Sequence, residues 1–224
     1  HNLALGPAPR QNAAIVYDSL RQRCVLFGGS AQGQNLTDTW SWNGASWEVI
    51  ATDGPAPRAQ HAMTYDAARD RIVLFGGIRT AAPGDKLSDT WEFDGTTWKL
   101  VASDVPQARN GHAMAYDSAR GRTVMFSGLG AFGNRLSGTW EWDGVSWQLR
   151  TEGGPSARRS HAMAYDAARN GVVVVGGYSE TVGYAADSWV WDGLNWNQIQ
   201  TSGALAVSGS VAAYDTHRST LVLL

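Results

Sequence analysis

Short apolar runs separated by polar punctuation recur along the whole chain, and within each run the period is two. In RIVLF, Ile72 and Leu74 project to one side of an extended strand and Val73 and Phe75 to the other, so both faces are apolar and both demand packing. HAMTY precedes this run as a partner strand. The connecting turn, Asp-x-x-Arg-x, starts with an aspartate able to accept turn amide hydrogens, and Gly121 or Asn170 suits its left-handed position. A second block supplies two more strands. TWSW, TWEF, TWEW and SWVW form the third, and the fourth starts at Trp47, Trp98, Trp147 or Trp196. Asn43-Gly44, Asp94-Gly95, Asp143-Gly144 and Asp192-Gly193 stand between them as two-residue hairpin signals.

The pattern is a repeat. The dipeptide Tyr-Asp recurs at Tyr17, Tyr65, Tyr116, Tyr165 and Tyr214, about fifty residues apart. The flanking text agrees: PAPRAQHAMTYDAARDRIVLFGG, PQARNGHAMAYDSARGRTVMFSG and PSARRSHAMAYDAARNGVVVVGG. Units run over about 7–54, 55–105, 106–154 and 155–203, with a partial unit over 204–224. Four-stranded sheets that are apolar on both faces pack well by radial stacking, which leaves only short protected edges. The expected fold class is therefore all-β, a propeller of four-stranded antiparallel blades.

These blocks resemble the kelch-repeat β-propellers, in the form with HAM-x-YD and WDG-x-x-W motifs. Paired glycines stand at Gly28-Gly29, Gly76-Gly77 and Gly176-Gly177; the third unit has Ser127-Gly128, which predicts a slightly altered bend. The resemblance implies that the first strand of each blade lies nearest a central axis. It also implies that the loops leading into the first strand, and those between the second and third, open on one common face. HNLALG aligns after a fourth-strand Trp and STLVLL lies within a second strand. The expectation is a portion of a longer repeat protein, with self-association through incomplete terminal blades as the alternative.

Composition narrows the classes. Over 224 residues the net charge is −2 and 17% of residues are charged, so no basic excess favours nucleic acid. No apolar run approaches the eighteen or so residues that a membrane span requires. Cys24 is the single cysteine, aligns with Ile72, Thr123 and Val172, and is expected to be a small core residue. Low charge, the many tryptophans and the kelch resemblance point to an extracellular or cell-surface location.

Candidate chemistry is weighed against the repeat. Arg58/His61, Arg109/His112 and Arg158/His161 occupy one register, and a group that one site's chemistry requires has no reason to recur in every unit. They are expected to be structural, as are Asp38, Asp89 and Asp187, which recur before the third strand and are expected to form salt bridges with the arginines. The third unit has Gly138 at the acid position. The tryptophans, including Trp40, Trp42, Trp91, Trp140 and Trp189, fall at repeated positions and are expected to pack between blades. No nucleophile elbow, HExxH or phosphate loop occurs, and neither a metal nor another cofactor is expected. Galactose oxidase, the kelch-fold enzyme for comparison, uses a copper site with a cysteine cross-linked to tyrosine.

Function is expected where units differ. The loops between second and third strands read SAQGQNLT, IRTAAPGDKLS, LGAFGNRLS and YSETVGYAA. Arg79, Asp85 and Lys86, then Phe132 and Arg135, then Tyr178, Glu180 and Tyr184 are the contact candidates, the types that dominate interface hot spots being prominent among them. The expected function is a non-catalytic binding or interaction module for a protein or glycan ligand. The alternatives are part of a secreted galactose-oxidase-like enzyme and a carbohydrate-binding propeller. The last predicts exposed aromatic rings on the loop face; the interaction module predicts a mixed polar and aromatic patch there.

Overall fold

The computed structural model describes residues 6–80, 82, 84–199, 206–215 and 217–223. The fold is all-β, of the propeller class, with four four-stranded antiparallel blades and no helix among the described residues. The first blade comprises Ala14–Asp18, Arg23–Phe27, Thr39–Trp42 and Trp47–Ala51; the second, Ala62–Asp66, Arg71–Phe75, Thr90–Phe93 and Trp98–Ala102. The third comprises Ala113–Asp117, Arg122–Phe126, Thr139–Trp142 and Trp147–Thr151; the fourth, Ala162–Asp166, Gly171–Val175, Ser188–Trp191 and Trp196–Ile199. Ala212–Asp215 and Thr220–Leu223 form a final hairpin. Strands pair in sequence order within every blade. The chain divides into two compact units, His1–Asn110 with the first two blades and Gly111–Leu224 with the rest.

Each unit shows how the two-faced strands are satisfied. In the first unit, Val25 and Phe27 on one face of the first blade pack with Met63, Ile72, Leu74 and Phe93 of the second. In the second unit, Val124 and Phe126 of the third blade pack with Met163, Val172, Val174 and Trp191 of the fourth. The valine and phenylalanine side of one second strand thus meets the opposite side of the next. Polar staples accompany the packing. Trp98 Nε1 donates to Thr39 Oγ1 at 2.9 Å, and Trp196 Nε1 to Thr139 Oγ1 at 2.9 Å. Arg21 reaches both carboxylate oxygens of Asp70 at 2.7 Å.

The turn aspartates act as the sequence suggests: Asp66 Oδ1 accepts from the amides of Ala68 and Arg69, each at 3.1 Å. Left-handed backbone follows at Asp70 (φ 53°), Gly121 (φ 64°) and Asn170 (φ 50°). Cys24 departs from expectation, because it is half-buried rather than a core residue. It shares a face of the first blade with Ile15 and Tyr17, which are 55% and 56% exposed, whereas Met63, at the register of Ile15, is 7% exposed.

Candidate functional site

The repeated arginines lie under the loops and meet the repeated aspartates. Arg58 has no exposed side-chain surface, and its guanidinium holds both oxygens of Asp89 at 2.7 Å and the Gly76 carbonyl at 3.0 Å. Arg158, equally buried, holds Asp187 at 2.6 and 3.0 Å and the Gly176 carbonyl at 2.9 Å. Burial, the largest influence, pushes both carboxyls up. The arginine and the neighbouring Trp91 or Trp189 indole outweigh it, so Asp89 and Asp187 lie below the usual value of 3.8. Asp38 follows the same rule with Arg10, at 2.7 and 2.9 Å. Arg10 was not among the expected residues. Its signal was available, since PAPR at 7–10 repeats PAPR at 55–58.

Arg109 is 2% exposed, and desolvation pulls its guanidinium down to about 10. The three repeated histidines, His61, His112 and His161, are buried at 6%, 6% and 5% exposure, so His112 keeps its place in the frame even in the unit that lacks the repeated aspartate. His61 packs edge-on against Phe27 at 5.4 Å and His161 against Phe126 at 5.5 Å. Desolvation first, then the charge of Arg58 or Arg158, pushes the imidazoles of His61 and His161 from 6.5 down to about 3, so both are neutral near pH 7. Such histidines are poor general bases. Among the described residues, no group of three or more His, Cys, Asp or Glu could hold a metal ion.

Above this layer, each variable loop is closed at its base by one repeated bond. The amides of Leu36, Leu87, Leu136 and Ala185 donate to the carbonyls of Gly29, Gly77, Gly128 and Gly177 at 2.9, 2.9, 3.0 and 2.9 Å. The altered bend expected at Ser127 is not found. Ser127 has φ 58°, against 62° to 65° for Gly28, Gly76 and Gly176. Its hydroxyl donates to the Arg158 carbonyl at 2.8 Å and accepts from the Arg158 amide at 2.7 Å, which compensates for a side chain in that conformation.

The loop candidates fall into one group per unit. In the first, Arg79 stands 3.7 Å from Asp85, whose carboxylate also accepts from the Thr80 hydroxyl; Arg79 is exposed and Lys86 half-buried. In the second, Arg135 lies over the Tyr178 ring at 5.4 Å and donates to Glu180 Oε1 at 2.9 Å. Tyr184 meets Tyr178 edge-on at 5.3 Å and is 62% exposed. Arg159, which sequence reasoning missed, approaches the Tyr178 ring at 5.5 Å. Its signal was its difference from Gln11, Ala59 and Asn110 in the same register. Phe132 stands 89% exposed in the same unit. The second unit therefore presents aromatic surface held between two guanidinium groups and a carboxylate. None of the tryptophans among the described residues is exposed; all lie at repeated strand positions. No protein-family model matches the chain, and no curated protein matches it.

Proposed function

We propose that this kelch-like propeller chain is a non-catalytic interaction module whose partner is a protein, bound through the loops between second and third strands and those leading into the first strand. The propeller fold is compatible with such a module. The observation that carries the reading is the mixed patch of Arg135, Tyr178, Glu180 and Tyr184, with Phe132 exposed in its own loop. Aromatic rings and arginines together are what interface hot spots use, and cation–π pairs preorganise them at little entropic cost. An extracellular or cell-surface setting is part of the proposal and rests on low charge and the kelch resemblance. No residue is assigned a catalytic role.

The test places a photo-crosslinking amino acid at Phe132 and, separately, at Val145, an 82%-exposed residue in a hairpin at the opposite end of its blade. In extract from the native source, the reading expects a saturable adduct at 132 that Tyr184→Ala abolishes. Equal adducts at both positions would sink it. A second reading is favoured by the exposed Ile15 and Tyr17: self-association through the first blade.

A further inference from the structure

A cavity of about 580 Å³ opens among the loops of the first unit, within the range of small-ligand sites, about 300–1,000 Å³. Main-chain bonds hold its walls. Gln11 and Ser30 exchange two, at 3.0 and 2.8 Å, and Ala59 and Ile78 two more, at 3.1 and 2.9 Å; the Gln60 amide donates to the Asn12 carbonyl at 2.9 Å. Lining this frame are the side chains of Gln11, Asn12, Gln34, Asn35, Gln60 and Thr80. Asn35 Nδ2 donates to the carbonyls of Ile78 and Arg79 at 2.9 and 2.7 Å, which sets its amide plane.

The lining excludes several ligand classes. It contains no carboxylate to hold a cation and no aromatic ring, and its one cation, Arg79, already faces Asp85 at 3.7 Å. The amides are also more than the backbone requires. One left-handed position leads into the first strand of every repeat: Asn12 (φ 57°), Gln60 (φ 57°), Gly111 (φ 63°), Ser160 (φ 54°) and Gly209 (φ 82°). Glycine adopts it without strain and stands there twice. The first unit instead carries asparagine and glutamine at this position: Gln60 Oε1 accepts from the side-chain amide of Asn110 and so belongs to the frame, whereas the Asn12 side chain makes no hydrogen bond among the described residues. An unpaired amide lining a cavity is a group that a polar ligand would satisfy.

We infer that this cavity binds an uncharged, hydroxyl-rich ligand, a neutral saccharide. Each side-chain amide both donates and accepts, as each sugar hydroxyl does, so clustered amides can satisfy a polyol without any net charge. This goes beyond the protein-binding proposal and rests on a different unit; with no ring in the lining, the sugar is held by amide hydrogen bonds and not by the aromatic stacking expected of a carbohydrate-binding propeller.

Saturation-transfer NMR and calorimetry on the full chain, with maltose, cellobiose and lactose each to about 10 mM, test it. At least one sugar is expected to give a saturable signal. Asn12→Gly, which fits the same backbone conformation and keeps the carbonyl that Gln60 uses, and Gln34→Ala, on an exposed hairpin, are each expected to weaken binding roughly tenfold with an unchanged melting temperature. Gln11→Ala provides a third probe of the same wall. No saturable signal from any of the three sugars overturns the inference, as does binding that survives all three substitutions. A neutral Gly-Ser peptide that binds where the sugars do not, and is sensitive to the same substitutions, would overturn the saccharide assignment in favour of a peptide.

Discussion

Arg58 is a cation with no exposed surface, and its stability depends on what surrounds it. Removing one partner of a buried pair leaves an uncompensated charge, typically worth about 3–5 kcal/mol. Asp89→Asn is expected to cost about 3 kcal/mol in urea unfolding, toward the lower end because Asp89 keeps 21% side-chain exposure. The double variant Arg58→Met/Asp89→Asn should recover part of that loss; a single-variant cost under about 1 kcal/mol would class the pair with surface ion pairs. His61 and His161 give a pH signature. Their folded value near 3 lies below the ordinary 6.5, so between these values the unfolded chain takes up protons that the folded chain refuses. Stability is therefore lost as pH falls from 6.5 toward 3, by about 1.4 kcal/mol per pH unit for each of the two. Asp38, Asp89 and Asp187 have lowered values, so their contribution is complete above 3.8 and declines only below it. The limb between pH 6 and 4 therefore belongs to the histidines. His61→Leu combined with His161→Leu should flatten it, and an unchanged slope would contradict their neutrality.

Blades were legible because their signals are local. Alternation marked RIVLF, Asp-Gly marked the hairpins, and the apolar character of both strand faces required packing on both sides. The short ladder of Ser30–Ala31 with Gln34–Asn35 was not legible, since two-residue strands carry no period. Nor was the bend at Ser127, where a hydroxyl bonded to Arg158 stabilises a conformation that residue type alone disfavours. The staples between neighbouring blades depend on partners far apart in sequence. Thr39→Val leaves the Trp98 indole without its 2.9 Å acceptor and is expected to cost about 1–3 kcal/mol in chemical unfolding. A neutral result would mean that solvent replaces the bond.

Across the whole molecule, repetition marked the frame. Register identified the buried Arg58, Arg109 and Arg158, the buried His61, His112 and His161, and the half-buried aspartates that meet arginines. It did not reveal the amide-lined cavity, because Gln11, Asn12 and Gln34 look like ordinary polar loop residues until the fold brings them together. It also could not show that Ile15 would be 55% exposed where its counterpart Met63 is 7% exposed. If the first blade mediates self-association, sedimentation velocity should detect dimers at micromolar concentration that Ile15→Lys abolishes; a monomer throughout would remove that role. The bond closing each variable loop has a further consequence. It forms equally across the shorter interval from Gly29 to Leu36 and the longer one from Gly77 to Leu87. Each loop is thus a cassette seated in a fixed socket, and doubling its length should cost only about 0.6 kcal/mol of closure entropy. Such a chain can exchange the cassettes it displays, by natural drift or by grafting, while the blades beneath remain the same.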